Sequence, residues 1–470
     1  MTKARRRRER KRKSQTKARK RKAAVTLRGS QCRSLRQRDT RYVNSMAQVT
    51  ATAIPQNNPT PASRNSIVRR GLDVLTIPAL SILTAFIVSG FVIAFTSPEV
   101  LKLLPQFWQH PLKLLTTMHE TVTTAYAALL QGAFGDWGAI WQGLESWLAT
   151  GNATDLLRAL RDPFESLVGA TPYIFTGLAV AVGFKGGLFN IGVEGQLFAG
   201  AVASAWVGFS IEGLPWFIHL PLALGAGIAA GAVWAGIAGL LKATRGVNEV
   251  INTIMLNYIM FLFTDWLLSD GGPLRGNAGA PRTPEIYPSA YLPRLLPDPV
   301  RFHWGFFLAI GAVFFVYWLL WKTTVGFEIR TVGASPTAAK YAGIAVGKVF
   351  VMAMGLSGGL AGLAGANELL GLNHYMVAAF SPGYGFDAIA LALLGKSNPF
   401  GVLAAALLFG ALRNGATRMQ SIATVPIDII SVMQALIIAF IAAPEIVRWL
   451  FRLRTPAQQE HEVFARGWGA

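Results

Sequence analysis

The chain has 470 residues, of which 52% are hydrophobic and only 14% charged, a balance that excludes an ordinary soluble domain, where about a quarter of residues carry charge. A formal charge of +20 looks like an invitation to nucleic acid, but 19 of the 44 Lys and Arg fall in residues 1–41 against two acids, and the remainder is close to neutral. Cys32 is the only cysteine, so there is no disulfide framework and no cysteine-based metal site. What is left is an all-α polytopic membrane protein, with no nucleic-acid partner expected for its body.

Residues 1–41 are basic and poor in apolar side chains, too little to offset their chain entropy, which predicts disorder. They lack the single apolar core of a cleavable signal peptide. Three roles fit them: an anchor to anionic lipid, a stretch upstream of a start at Met46, or a nucleic-acid-binding arm. Residues 51–66, with Pro55, Pro59 and Pro61, read as a linker. The tail and linker are therefore 1–66.

Residues 72–97 are long and apolar enough to span a bilayer, and Arg69 and Arg70 just before them place the N-terminus in the cytoplasm. Residues 98–163 mix Trp108, Trp137, Trp141 and Trp147 with Glu120, Asp136, Glu145 and Asp155, as expected of an external amphipathic region lying at the interface. Apolar blocks follow at 165–184, 188–210, 215–241 and 249–268, with Lys185, Lys242 and Arg245 in the connections that alternation puts inside. A polar loop at 270–302 lies outside, 303–321 returns inward, and the basic loop 323–348 is cytoplasmic. Residues 349–370 run outward. The stretches 384–394 and 400–412 are read as two short segments meeting at Lys396, because that places Arg448, Arg452 and Arg454, beyond the last span at 427–450, in the cytoplasm. The count is about ten transmembrane segments with both termini cytoplasmic, in a membrane domain of 67–455 followed by a cytoplasmic tail, 456–470. Backbone broken at membrane depth has to be covered by protein.

The most informative stretch is 186–200, GGLFNIGVEGQLFAG, set between apolar runs. Asn190, Glu194 and Gln196 are costly at membrane depth, and a membrane carboxylate is a candidate functional group. Their spacing puts Asn190 and Glu194 one turn apart on one helical face. A purely structural hydrogen-bond knot between helices fits the same residues. Asn248, Glu249, Asn252 and Asn257 open the block at 249–268, Asn367 and Glu368 close the glycine-rich block, and Asp387 falls in the broken region. Gly355, Ser357, Gly358, Gly359, Gly362, Gly365 and Ala366, like Gly227, Gly231 and Ala235, have the spacing of close helix packing.

Chemistry of other kinds is not indicated. Gly395-Lys396-Ser397 ends like a phosphate-binding loop, but position 390 is Ala and the intervening residues are apolar. The six histidines show no metal spacing and no nucleophile elbow stands out, so no catalytic residue, metal or cofactor is expected. In the loop 324–344, Ser335 is a capping residue, Pro336 suits the first turn, Ala338 and Ala339 favour helix and Gly343 can end it. The pattern predicts a short helix on the cytoplasmic surface, either gripped by another protein or a plain connector.

Four stretches together carry a resemblance: FNIGVEGQ at 189–196, the Gly326…Arg330…Gly333…Ala338-Ala339…Gly343-Ile344 loop, GLSGGLAGLAGA at 355–366, and GYGFDAIALALLG at 383–395. Over about 72–454 the chain resembles the inner-membrane permeases of binding-protein-dependent ABC importers, of the branched-chain amino acid/ribose type. It is most similar to the branch for simple sugars, and within it to the nucleoside subgroup. The resemblance implies a plasma-membrane subunit that carries a small-molecule substrate through the lipid bilayer. It also implies cytoplasmic ATP-binding subunits, a second permease, homologous or identical, and an external substrate-binding protein. Gly326, Arg330, Gly333, Ser335, Ala338, Ala339, Gly343 and Ile344 would couple the chain to the ATPase, and Asn190, Glu194 and Gln196 would line or brace the path. An ion- or proton-coupled secondary transporter would also use broken helices and buried carboxylates.

Overall fold

The computed structural model describes residues 64–452, save 278, 424 and 427. The basic tail, the linker, Cys32 and the tail 456–470 lie outside the described residues. By contacts the chain divides into Met1–Leu72 and Asp73–Ala470, and the helical bundle belongs to the second unit.

Among the described residues the secondary structure is helical, with only isolated bridges at Arg282–Val377 and Arg294–His303. The helices are α1 (Arg64–Thr96), α2 (Pro98–Leu103), α3 (Pro111–Phe134), α4 (Trp137–Thr150), α5 (Thr154–Lys185), α6 (Val193–Ser210), α7 (Trp216–Arg245) and α8 (Glu249–Leu268). They continue with α9 (Gly305–Lys322), α10 (Thr324–Ala334), α11 (Pro336–Tyr341), α12 (Val346–Glu368), α13 (Tyr384–Leu394), α14 (Pro399–Ala423), α15 (Asp428–Ala442) and α16 (Pro444–Leu450). Seven of the described helices are long and apolar enough to cross a membrane: α1 from Pro78, α5, α7, α8, α9, α12 with the π-turn after it, and α14. Tyr384–Leu394 and Asp428–Ile441 are shorter apolar helices.

Three sequence expectations need correction. The block at 188–210 is helical only from Val193, because Gly186, Gly187 and the polar run to Gly192 unwind. The stretch after Lys396 is a 25-residue helix rather than a short segment; the reversal before it is made by Lys396 and Ser397 at φ 52° and 50°. The last block breaks before Pro444 into α15 and α16, since proline has no N–H for the previous turn.

Helix α5 forms the middle of the main core, with Tyr173, Ile174, Phe175 and Leu178 fully buried among side chains of α6, α9, α12, α13 and α14. A second core joins α1, α3, α14 and α15 through Ala85, Ile93, Ala128, Leu129, Leu412, Ala416, Met433 and Ile437. Helix α3 thus packs along apolar helices with half its length, while Trp137, Trp141 and Leu148 of α4 stay exposed. The polar loop after α8 is pinned to the chain beyond α12: Thr283 N–H donates to Met376 O, Ile286 N–H to His374 O and Leu292 N–H to Leu370 O.

Helices α7 and α12 meet backbone to backbone. A Cβ on Gly358 would lie 2.2 Å from Gly231 O, and one on Gly362 the same distance from Gly227 O. No side chain fits there, and the close approach is what small-residue spacing provides where the solvent is lipid. Gly362→Val should therefore abolish recovery of a monodisperse folded protein from detergent extracts. Gly355→Ala, whose added carbon would meet nothing nearer than Ala232 O at 3.9 Å, should leave thermal stability within about 0.5 kcal/mol.

Candidate translocation site

Between α5 and α6 the chain leaves the helix for seven residues inside the bundle, and their backbone groups have no water to turn to. Gly186, Gly187 and Leu188 N–H donate to carbonyls of α5, and side-chain amides hold Ile191 O and Gly192 N–H. Asn190 Oδ1 accepts from Gly192 N–H at 2.9 Å and from Gln196 Nε2 at 3.0 Å, while its Nδ2 donates to Gln196 Oε1 and Ser357 Oγ, both at 2.9 Å. Ser357 passes the chain on to Ala179 O at 2.6 Å. From the other side Asn257 accepts from Gly195 N–H and donates to Ile191 O, each at 2.9 Å. Asn190 and Glu194 do not share a helical face: Asn190 precedes the helix and is spent on bracing the break, whereas Glu194 lies in the first turn of α6.

Glu194 is buried and turns toward α13, where its Oε2 accepts from Gly385 N–H, an unpaired donor at the helix start. Gly385 is required by this approach, since a Cβ there would lie 2.3 Å from Glu194 N. Two residues on, Asp387 Oδ2 accepts from the Tyr173 hydroxyl at 2.9 Å. The same hydroxyl oxygen accepts from Arg413 Nη1 at 3.0 Å, and Arg413 stands 3.9 Å from Asp387 and over the Tyr384 ring at 5.8 Å. Tyr173 and Tyr384 meet edge to face at 5.0 Å. Four elements, α5, α6, α13 and α14, thus meet around one polar centre.

Beyond it, Glu165 and Arg301 form a two-point pair, Nε to Oε1 at 2.8 Å and Nη2 to Oε2 at 2.7 Å. Glu368 is buried with Arg301 and Arg413 as neighbouring cations, and buried Asn367 Oδ1 has no hydrogen-bond partner among the described residues. The start of α8 is local work: Asn248 Oδ1 caps Val250 N–H at 2.9 Å, Glu249 pairs with Lys242 at 2.7 Å, and Asn252 Nδ2 is buried without a partner among the described residues. Sequence reasoning missed Tyr173, Arg413, Tyr384, Glu165 and Arg301. Arg413 was legible in principle, because an arginine at the point where an apolar run is taken to end can instead sit inside a helix that continues, as α14 does to Ala423.

The loop before α12 folds into α10 and α11. Gly326 and Gly333 are close-packing positions against Leu319 O and Lys185 O, and Arg330 Nε donates to Leu320 O at 2.9 Å. Ser335 Oγ caps Ala338 N–H at 3.3 Å, and Gly343 at φ 85° ends the short helix before half-buried Ile344. Ala339 is buried, whereas Thr337, Ala338, Lys340 and Tyr341 face outward. The adjacent alanines therefore point opposite ways.

The pattern of the branched-chain amino acid transport system permease component matches residues 163–442. The chain belongs to that permease family. It is 44% identical over 292 residues to the guanosine ABC transporter permease protein NupP of Bacillus subtilis, covering 61% of this chain and 82% of the relative. It is 36% identical over 328 residues to the nucleoside ABC transporter permease protein NupB of Lactococcus lactis, covering 68% and 88%. A glucose ABC transporter permease protein of Haloferax volcanii is 38% identical over 291 residues, covering 60% and 76%. No solved structure matches the chain. The permease is thus a membrane-embedded subunit of an ABC importer, not an enzyme.

The geometry sets the cost of losing particular side chains. Asn190→Ala leaves the Gln196 amide and the Gly192 N–H buried without partners and should cost about 2–3 kcal/mol in detergent unfolding; Asn248→Ala removes a single helix cap and should cost about 1 kcal/mol. His303, in the loop before α9, is pushed down to about 4, chiefly by burial and further by His374 and Arg294. Its unfolded form binds a proton below about 6.5, so the permease should lose stability as pH falls from 6.5 toward 4, by about 2 kcal/mol at pH 5. The unfolding midpoint of His303→Gln should fall less steeply over that interval.

Proposed function

We propose that the permease forms the translocation path for a nucleoside or a simple sugar, and that the Glu194–Asp387–Tyr173–Arg413 centre lies on that path. One observation carries the reading: Asp387 and Arg413, on two apolar helices, keep 34% and 36% of their side-chain surfaces exposed. Ionised groups on spanning helices do not face hydrocarbon; they face a water-filled cavity or another protein. The relatives' names give the chemical range. Guanosine, other ribonucleosides and glucose are neutral and carry neighbouring ring hydroxyls, which amides and carboxylates can bind.

On this reading Asn190, Gln196 and Asn257 brace the broken backbone, Glu194 ties α6 to α13, and Asp387, Glu368 and Asn367 face or border the path. Asn248, Glu249 and Asn252 support its cytoplasmic end. Adding α6 and the two shorter apolar helices to the seven long ones gives about ten membrane segments, with both termini cytoplasmic. Residues 67–455 make the permease domain, with 98–163 outside and 323–348 at the cytoplasmic surface. A second permease, homologous or identical, completes the path; an external binding protein delivers the substrate.

The cytoplasmic ATP-binding subunits grip α11, whose outward residues Ala338 and Tyr341 are one turn apart. Gly326, Gly333 and Arg330 anchor that helix to the bundle, and Ser335, Gly343 and Ile344 set its ends. Ala338→Glu should leave assembly intact and cut uptake per ATP hydrolysed by at least tenfold, on the order of one lost interface anchor. Ala339→Glu buries a charge and should prevent assembly. Labelled guanosine, ribose and glucose offered to cells with and without this gene test the whole reading. Uptake should depend on the gene, fail on ATP depletion and survive a proton uncoupler. The reverse pattern would exclude it.

A further inference from the structure

Among the arginine–carboxylate pairs of the described residues, two near the polar centre contrast in completeness. Arg301 and Glu165 use two nitrogens and both oxygens on each other, the two-point geometry that satisfies the pair internally. Arg413 and Asp387 are held apart. The Tyr173 hydroxyl sits between them, donating to Asp387 Oδ2 and accepting from Arg413 Nη1, and the direct separation is 3.9 Å. Among the described residues Asp387 Oδ1 makes no hydrogen bond, and only one of the arginine's nitrogens does. A carboxylate offers four lone-pair sites and a guanidinium five donors. Most of that capacity is open, on a third-exposed face of two apolar helices.

Unused hydrogen-bonding capacity at membrane depth costs free energy unless something supplies the partners. A hydroxyl is at once donor and acceptor. Two neighbouring hydroxyls can give one proton to a carboxylate oxygen while an oxygen accepts from a guanidinium. A phosphate would be repelled by Asp387 and an ammonium by Arg413, so the juxtaposed charges favour a neutral, polyhydroxylated cargo over either.

We infer that Asp387 Oδ1 and the free donors of Arg413 together recognise a pair of neighbouring hydroxyls on the passing cargo, with Tyr173 as the spacer that keeps the pair from closing on itself. The inference rests on the reading of this face as the path. It makes the permease itself selective for a ribose or hexose ring over its 2-deoxy form, beyond whatever the external binding protein selects. Asp387 and Arg413 would be specificity residues; Tyr173 would be a positioning residue.

The test uses the complete importer, permease with its ATP-binding subunits and binding protein, in membrane vesicles, with guanosine against 2′-deoxyguanosine and glucose against 2-deoxyglucose as probes. The quantity read is the ratio of uptake rates within each pair. Comparing that ratio between the unmodified permease and Asp387→Asn cancels the binding protein's own preference, because the same binding protein loads both. Asn keeps an acceptor for the Tyr173 hydroxyl but replaces the other oxygen by a donor. The preference for the hydroxylated cargo should fall about tenfold, the size of one hydrogen bond to a charged group.

Arg413→Lys keeps the charge but offers fewer donors in no fixed fork, and should lower the ratio about threefold; it serves if Asp387→Asn does not assemble. An unchanged ratio in the variants, or equal loss of both members of a pair, would overturn the inference while leaving the path reading standing. Absence of gene-dependent uptake of guanosine and of glucose would remove the reading beneath it, and the inference with it.

Discussion

A backbone that leaves the helix inside a bilayer has to find partners for every N–H and C=O within the protein, and the rest of this structure is arranged around meeting that demand at residues 186–192. Carbonyls of α5 and three amides do much of it. Asn190 and Gln196 hold each other face to face, Asn257 reaches in from α8, and Ser357 ties the group to α5. Asn190 is fully occupied, with both its donors and its oxygen engaged, and all three amides are turned to the chain itself. Their service is to present Glu194 at the start of α6, aimed at the equally unsupported start of α13.

The two helix starts then determine what can gather between them. Asp387 follows Gly385 by two residues, Tyr173 comes from the buried middle of α5, and Arg413 arrives from α14 only because that helix continues past the point where its apolar run falters. Each of these groups is expensive alone in an apolar bundle. Their mutual contacts lower the cost without removing it, and the residual exposure of Asp387 and Arg413 is where the molecule still has something to offer.

Much of this was legible in the amino-acid sequence, and the limits are physical. Hydropathy located the long helices because bilayer thickness imposes a length, and the positions of Ser335, Pro336 and Gly343 specified a short helix that is present with its cap. The polar run 189–196 advertised itself as costly. Its helical spacing misled, because periodicity assumes a continuous helix and Gly186, Gly187 and Gly192 had removed it. Ala338 and Ala339 looked equivalent, yet burial of one and exposure of the other depend on how α11 lies on the bundle, which no local pattern records. Tyr173 gave no signal, since a tyrosine in an apolar run reads as core; its hydroxyl became significant only when helices over two hundred residues away in sequence, α13 and α14, were brought beside it.

Where α7 and α12 come closest the contact is made by carbonyls and α-carbons, with Gly231 against Gly358 and Gly227 against Gly362. That part of the seam contains no rotamers to rearrange, so it yields only by separation. A displacement of the end of α12 next to α11 would be carried along this pair as through a single beam to Glu368 and the π-turn at its far end. Deformation is left to the joints that are not meshed in this way: the unwound link before α6 and the reversal at Lys396 and Ser397.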